Sequence, residues 1–326
     1  MKIPAAPRKA QSAWNGLGAY PAFPACPLAC ALHGCYTASR PCLVIVSMLR
    51  NTFLHLPGIG PVRERALWQR QILDWDCFLA AVEDGRLPDG IYKAAAPVVH
   101  QSVAAAAGGD ARFFGGLLPR SETWRLYPDF MDRALFLDIE TTGLSAQFDQ
   151  VTMIGAFGVG EPALFVNGVN LDQFPAYVAQ FPLLVTFNGS QFDVPFLRAH
   201  FPDARLDQAH IDLRFVLGSL GYRGGLKAVE RHLGLARDPA IQGVDGFEAV
   251  RLWHRYRRGD RAALTKLALY NLTDVVNMVE LVEIAVGHKT RLTAHPGQEG
   301  LFGRSTGRKV DSEYVETLLG KHLAIG

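Results

Sequence analysis

The sequence predicts an α/β protein in which a mixed sheet is flanked by helices and preceded by a small helical unit. Three observations predict it. The runs "ALFLDIE", "VTMIGAFGV" and "PALFVNG" are rich in β-branched, aromatic and aliphatic residues and are separated by short turn signals, so they read as successive strands, the last two forming a hairpin. Beyond them strands and helical patterns alternate, which is the order of a layered α/β domain. Two long helical patterns, at about 246–258 and 260–286, close the region.

With 326 residues, 49% of them hydrophobic, the chain is long enough to bury a sizeable core. Its formal net charge of +2 permits a polyanionic partner without demanding one, although basic residues gather in "RLWHRYRRGDRAALTK" (251–266). No window approaches the run of about 20 apolar residues that spans a bilayer. The expectation is a soluble, cytoplasmic protein with no membrane partner.

In chain order, residues 1–47 are rich in Ala, Pro and Gly without either structural period, and read as a low-complexity or disordered extension. Met48 is then a candidate authentic start. Four of the five cysteines, Cys26, Cys30, Cys35 and Cys42, lie in this stretch, but their spacings do not match the paired C-x2-C clamps of zinc or iron-sulfur sites. Residues 48–85 hold two short helical patterns around a Gly-Ile-Gly turn, with Pro61 in the first turn of the second and with Val62, Ala66, Leu67 and Ile72 lining one face. Residues 86–130 read as a helical connector. The main domain spans 131–287, with a helix at about 171–180, a strand at 183–189, a helix over "DVPFLRAHF", the segment "HIDLRFVLG" and a helix over "LKAVERHLGL". The tail, 288–326, combines Gly-rich and basic stretches with one short helical pattern.

The chemistry starts in "RALFLDIETTGLS" (133–145), where an apolar strand runs into Asp138 and Glu140. Residues two apart on a strand share a face, so both carboxylates point at one spot, and such a spot wants a cation. Alone, the pair reads equally as a solvated strand end. Downstream, "TFNGSQFDVPFL" (186–197) puts Asn188 at the end of a strand and Asp193 at a helix entry, where a plain helix cap is the competing role. In "LALYNLTDVVNMVELV" (267–282) Tyr270 and Asp274 lie four apart on one helical face. The apolar stripe of that helix passes through Leu264, Leu267, Ala268, Leu272, Val275, Val279 and Val282, and the pair falls about 100° from its centre, at the edge of the core. A tyrosine bonded to a surface carboxylate fits that position as well as a site does.

Taken together, these three stretches resemble the motifs of the DEDD superfamily of 3′→5′ exonucleases, in the form Y-x3-D at the third motif, and that superfamily has a ribonuclease H-like fold. The N-x3-F-D spacing of the second motif is similar to that of the proofreading domains of family B DNA polymerases. The arrangement over about 131–286, including "GGLKAVERHLGL" and "GFEAVRLWHRYRRGD", most resembles the YprB-like ribonuclease H-like proteins. The resemblance implies that Asp138, Glu140, Asp193 and Asp274 bind two Mg²⁺ or Mn²⁺ ions and that Tyr270 orients the attacking water at a DNA or RNA 3′ end. It further gives Thr141 and Leu144 contacts to the terminal nucleotide, and Asn188 a contact to substrate or a bracing role. Elementary chemistry agrees: crowded carboxylates need cations, oxygen ligands favour hard ions, and a phenol with pKa near 10 positions water better than it deprotonates it.

The "LPGIG" core resembles a helix-hairpin-helix element, which implies that the turn at Gly58 and Gly60 offers backbone N–H groups to a nucleic-acid phosphate. Glu64 departs from the small residue usual there. No H-E-x-x-H, H-x-x-E-H or G-x4-G-K-[ST] pattern is present, which disfavours zinc hydrolysis and ATP hydrolysis. The expectation is a metal-dependent 3′→5′ exonuclease; the alternative is a nucleic-acid-binding module with weak or partner-dependent nuclease activity.

Overall fold

The computed structural model describes residues 47–158, 160–294, 296 and 310–323, so the four N-terminal cysteines and the expected extension lie outside the described residues. The chain enters the fold through Asp129, which accepts the Ser47 hydroxyl at 2.5 Å and the Leu49 N–H at 3.1 Å. Among the described residues, the one helical element ahead of the Gly-Ile-Gly turn is a single 3-10 turn, Leu49–Asn51. The helical pattern read ahead of that turn is therefore not a helix. Gly58 adopts φ +74°, and Gly60 caps α1 (Pro61–Gln69), followed by α2 (Trp75–Glu83).

Val62 does not line the inner face of α1: it is 73% exposed. The reason is a buried charge. Glu64 sits inside, 2% exposed, paired with Arg125 at 2.8 Å and accepting the Phe53 N–H at 2.8 Å, and this turns Glu64, Leu67 and Trp68 inward. Val62, two residues from Glu64, is about 200° away around the helix.

The connector is helical, with α3 (Gly90–Gly108), α4 (Ala111–Gly115) and α5 (Tyr127–Phe130). Asp89 and Asp110 cap the first two by accepting backbone N–H groups. Buried residues from Met48 to Phe130 share one hydrophobic cluster with Phe136, Val185 and Ile211 of the sheet and with Val275 to Val286 of the last long helix.

The sheet has five strands in the order β3-β2-β1-β4-β5: β1 (Ala134–Thr141), β2 (Val151–Phe157), β3 (Pro162–Val166), β4 (Leu183–Thr186) and β5 (Ala209–Asp212). The first three pair antiparallel as a meander, and β4 and β5 add in parallel beside β1, so the sheet is mixed as its pattern predicts. Between β3 and β4, the expected helix at 171–180 is a 3-10 turn, Leu171–Gln173, running into α6 (Phe174–Val178). The strand expected over 183–189 stops at Thr186, because Asn188 adopts φ +69° and turns the chain into α7 (Asp193–His200). "HIDLRFVLG" divides at Asp212, which ends β5 and caps α8 (Leu213–Ser219) by accepting the Arg214 N–H.

α9 (Leu226–Leu233), α10 (Gly246–Tyr256) and α11 (Arg261–Thr293) follow. α11 runs past its expected end, and its N-terminus is capped by Asp260, which accepts the Ala263 N–H at 3.1 Å. α12 (Ser312–Leu323), from the tail, packs Val315, Leu318 and Leu319 into a cluster with Leu264 and Leu267 of α11. Among the described residues no helix is long and apolar enough to cross a membrane.

Candidate active site

Alternation along β1 decides where its carboxylates go. Leu135, Leu137 and Ile139 face a core shared with Phe174, Val194 and Leu197 of α6 and α7, whereas Phe136 faces the cluster that includes α11. By the two-residue period Asp138 and Glu140 share the Phe136 face, beneath α11. Opposite Asp138 in the register is Gly155, and a Cβ there would overlap Asn271 Oδ1. The bare glycine lets α11 approach closely enough for Asn271 Nδ2 to donate to Asp138 Oδ2 at 2.8 Å.

Asp193 arrives from the opposite face. Its Oδ1 accepts the Ile139 backbone N–H at 3.2 Å, between Asp138 and Glu140 and beyond the last β4 pairing. Tyr270 and Asp274 descend from α11, 7% and 5% exposed, so the expected core-edge position is in fact an interior one. Glu140 and Asp193 are likewise buried.

The electrostatics show that the four carboxylates form one group. Asp138 and Glu140 are held well above the usual carboxylate range, first by burial and then by the charge of Asp274, with Asp193 adding to both. Burial pushes Asp193 up to about 7. It pushes Asp274 up to about 6 against the pull of Arg237. The Tyr270 phenol is raised by burial and by Asp274, Glu140 and Asp138, so it stays protonated. Buried anions of this density need either protons or cations.

Cations do stand nearby. Arg237 lies in ion-pair contact with Asp274 Oδ1 and makes two bonds to Glu230, at 2.6 and 2.8 Å. Lys227 Nζ lies 4.4 Å from the centre of the Tyr270 ring and donates to the Val244 carbonyl. The acids open onto a groove of about 840 Å³ in which Asp138 and Asp274 face Asn188, Arg214 and Arg223. Arg214 donates to Asn188 Oδ1, and to Gln191 Oε1 at 3.0 Å. Asp212 braces this turn by accepting the Asn188 N–H at 2.8 Å and the Ser190 hydroxyl at 2.6 Å.

The residues fit a hard divalent cation in donor type and in need. Asn271 Oδ1 is a buried oxygen that accepts no hydrogen bond. All four carboxylates are oxygen donors in a low-dielectric centre. Among the described residues, however, no group of three or more His, Cys, Asp or Glu side chains is placed so that it could hold a metal ion.

The other expected residues are more dispersed. Thr141 is buried, its hydroxyl donating to the Gly143 carbonyl at 2.5 Å. Leu144 is 88% exposed in the β1–β2 loop and is no part of the core. Gly58 and Gly60 are exposed in the turn before α1 and are not among the residues lining the groove. Asn271, Glu230, Arg237 and Arg214 escape the sequence reading. Asn271 sits beside Tyr270 within a helix, and nothing in its spacing distinguishes it from a surface amide.

Fold and site together define an α/β domain of ribonuclease H type with a buried acidic centre. Residues 135–286, just under half of the chain, match the family model of the RNase_H superfamily. Among solved structures the chain is similar to the family B DNA polymerase from the hyperthermophilic archaeon Pyrobaculum calidifontis, with 18% identity and a TM-score of 0.39. That overlap covers 48% of this chain and 24% of the polymerase. No curated protein matches the chain.

Proposed function

We propose that the protein is a metal-dependent 3′→5′ exonuclease that hydrolyses phosphodiester bonds at a DNA or RNA end. The observation that carries this reading is the set of Asp138, Glu140, Asp193 and Asp274, in which the charges of Asp274 and Asp193 act on Asp138 and Glu140, and of which Asp138 and Asp274 line an open groove. Those four carboxylates would hold two divalent ions, Mg²⁺ or Mn²⁺. Such ions, when bound, supply the Lewis acidity that activates a water and stabilises the departing 3′ oxygen.

The chain's own residues supply the rest. Tyr270, protonated and buried against the acids, offers its hydroxyl to orient a water instead of acting as a base. Arg214, held by Asn188 and Gln191, presents a positioned guanidinium to a phosphate entering the groove. Leu144, projecting from the loop after β1, offers an apolar surface to the terminal base. Gly58 and Gly60 at the start of α1 offer a second, sequence-independent contact to the backbone.

A second reading, a nucleic-acid-binding module with weak or partner-dependent nuclease activity, is favoured by one observation: Arg237 already lies on Asp274. Degradation of end-labelled nucleic acid with Mg²⁺ or Mn²⁺, compared between wild type and Asp138→Ala, separates the two. Shortening products lost in the variant support the exonuclease, and retained binding without cutting by either protein supports the module.

A further inference from the structure

The acidic centre is faced by a cation that no motif marks. Arg237, in the loop after α9, donates Nε to Glu230 Oε2 at 2.6 Å and Nη2 to Glu230 Oε1 at 2.8 Å. Glu230 is 1% exposed and is held from α11 by Asn277 Nδ2 at 2.9 Å. Two parallel bonds to an immobile carboxylate fix the plane of a guanidinium, so Arg237 does not swing in and out as a surface arginine does.

The same Nη2 lies in ion-pair contact with Asp274 Oδ1. That contact acts on Asp274 through charge and through a side-chain hydrogen bond, while Arg237 Nη1 is buried without a hydrogen-bond acceptor. It offsets the charge of Asp274 and occupies one of its oxygens.

We propose that Arg237 is a positioning residue that serves Asp274 as a fixed internal counter-ion, steadying the carboxylate at the centre and weakening the binding of a divalent cation there. The inference rests on the metal-dependent reading above and adds to it a device that sets the affinity. A guanidinium anchored to Glu230 cannot retreat when a second cation arrives, so the two positive charges compete for one carboxylate.

The test measures the Mn²⁺ dissociation constant by electron paramagnetic resonance of the free ion, with thermal unfolding as the check on folding. The double variant Glu230→Gln/Arg237→Gln removes the guanidinium without stranding Glu230 as an unpaired buried charge. It is expected to bind Mn²⁺ at least tenfold more tightly than wild type. Arg237→Lys, which keeps the charge but loses the two-bond anchor, is expected to bind about threefold more tightly, and it carries the test if the double variant does not fold. In an Asp274→Asn background both gains should vanish, which a merely structural role for Arg237 does not predict. Unchanged or weaker Mn²⁺ binding in the folded variants, with wild type binding the ion, overturns the role of Arg237 and leaves the metal-dependent reading standing. If wild type and variants alike bind no Mn²⁺, both fall.

Discussion

Asn271 holds Asp138 from the position next to Tyr270, its Nδ2 donating to Asp138 Oδ2 at 2.8 Å and lying 3.3 Å from the Asp138 carbonyl. One amide thus couples the longest helix to the first strand at the point where the acids meet. Gly155 makes the approach possible, since a Cβ there would overlap Asn271 Oδ1.

Asn271→Ala is expected to cost about 1–3 kcal/mol, because it leaves the half-buried Asp138 carboxylate without its donor. Gly155→Ala should cost a comparable amount through overlap with Asn271. The two costs should not add: in the Asn271→Ala background the added methyl finds space. Chemical denaturation of the two single variants and the double variant measures the coupling.

Without divalent ions, the acidic centre makes stability fall as pH rises. Folded Asp193, at about 7, and Asp274, at about 6, lie above the ordinary aspartate value of 3.8, so between that value and their folded pKa the native state binds more protons than the unfolded one. Their contribution is fully present below the unfolded value and is lost on rising through pH 6 to 7, at about 1.4 kcal/mol per pH unit for each unbalanced proton. The metal-free protein should therefore melt at a higher temperature at pH 5 than at pH 8. Asp193→Asn, which keeps an acceptor for the Ile139 N–H but loses the charge, should flatten that slope and abolish hydrolysis.

The ion pair of Glu64 with Arg125 should show the asymmetry of buried charges. Arg125→Met strands Glu64, whose carboxyl burial already raises despite its partner, and should destabilise by about 3–5 kcal/mol. Adding Glu64→Gln should recover a large part of that loss, as read by urea unfolding.

Asn188 joins the turn after β4 to the groove. Asn188→Gly suits the left-handed φ of +69° and should leave stability within about 0.5 kcal/mol while freeing Arg214. Steady-state kinetics should then show a raised KM with kcat little changed. Asn188→Ala should show the same kinetic change together with a stability loss of about 1 kcal/mol from backbone strain.

Much of this architecture is legible in the sequence because it rests on local period. The meander, the α/β alternation, the strand carrying Asp138 and Glu140, and the helical placement of Asp193, Tyr270 and Asp274 all follow from residue spacing. What escapes depends on contacts between distant segments. Val62 faces solvent because Glu64 has found Arg125, 61 residues away. Likewise, nothing local to Arg237 announces that Glu230 anchors it or that it reaches Asp274 on α11. The strand expected to reach 189 ends early because Asp212, on the neighbouring strand, captures the turn at Asn188.

The measurement that tests the account most directly is degradation of 5′-labelled single-stranded DNA, duplex DNA and single-stranded RNA in Mg²⁺ or Mn²⁺, by wild type and by Asp138→Ala. A ladder of products shortened from the 3′ end by wild type, absent with the folded variant and absent in chelator, is the predicted result. Products of the same length with Asp138→Ala, or cutting that persists in chelator, would contradict a metal-dependent centre built on these four carboxylates.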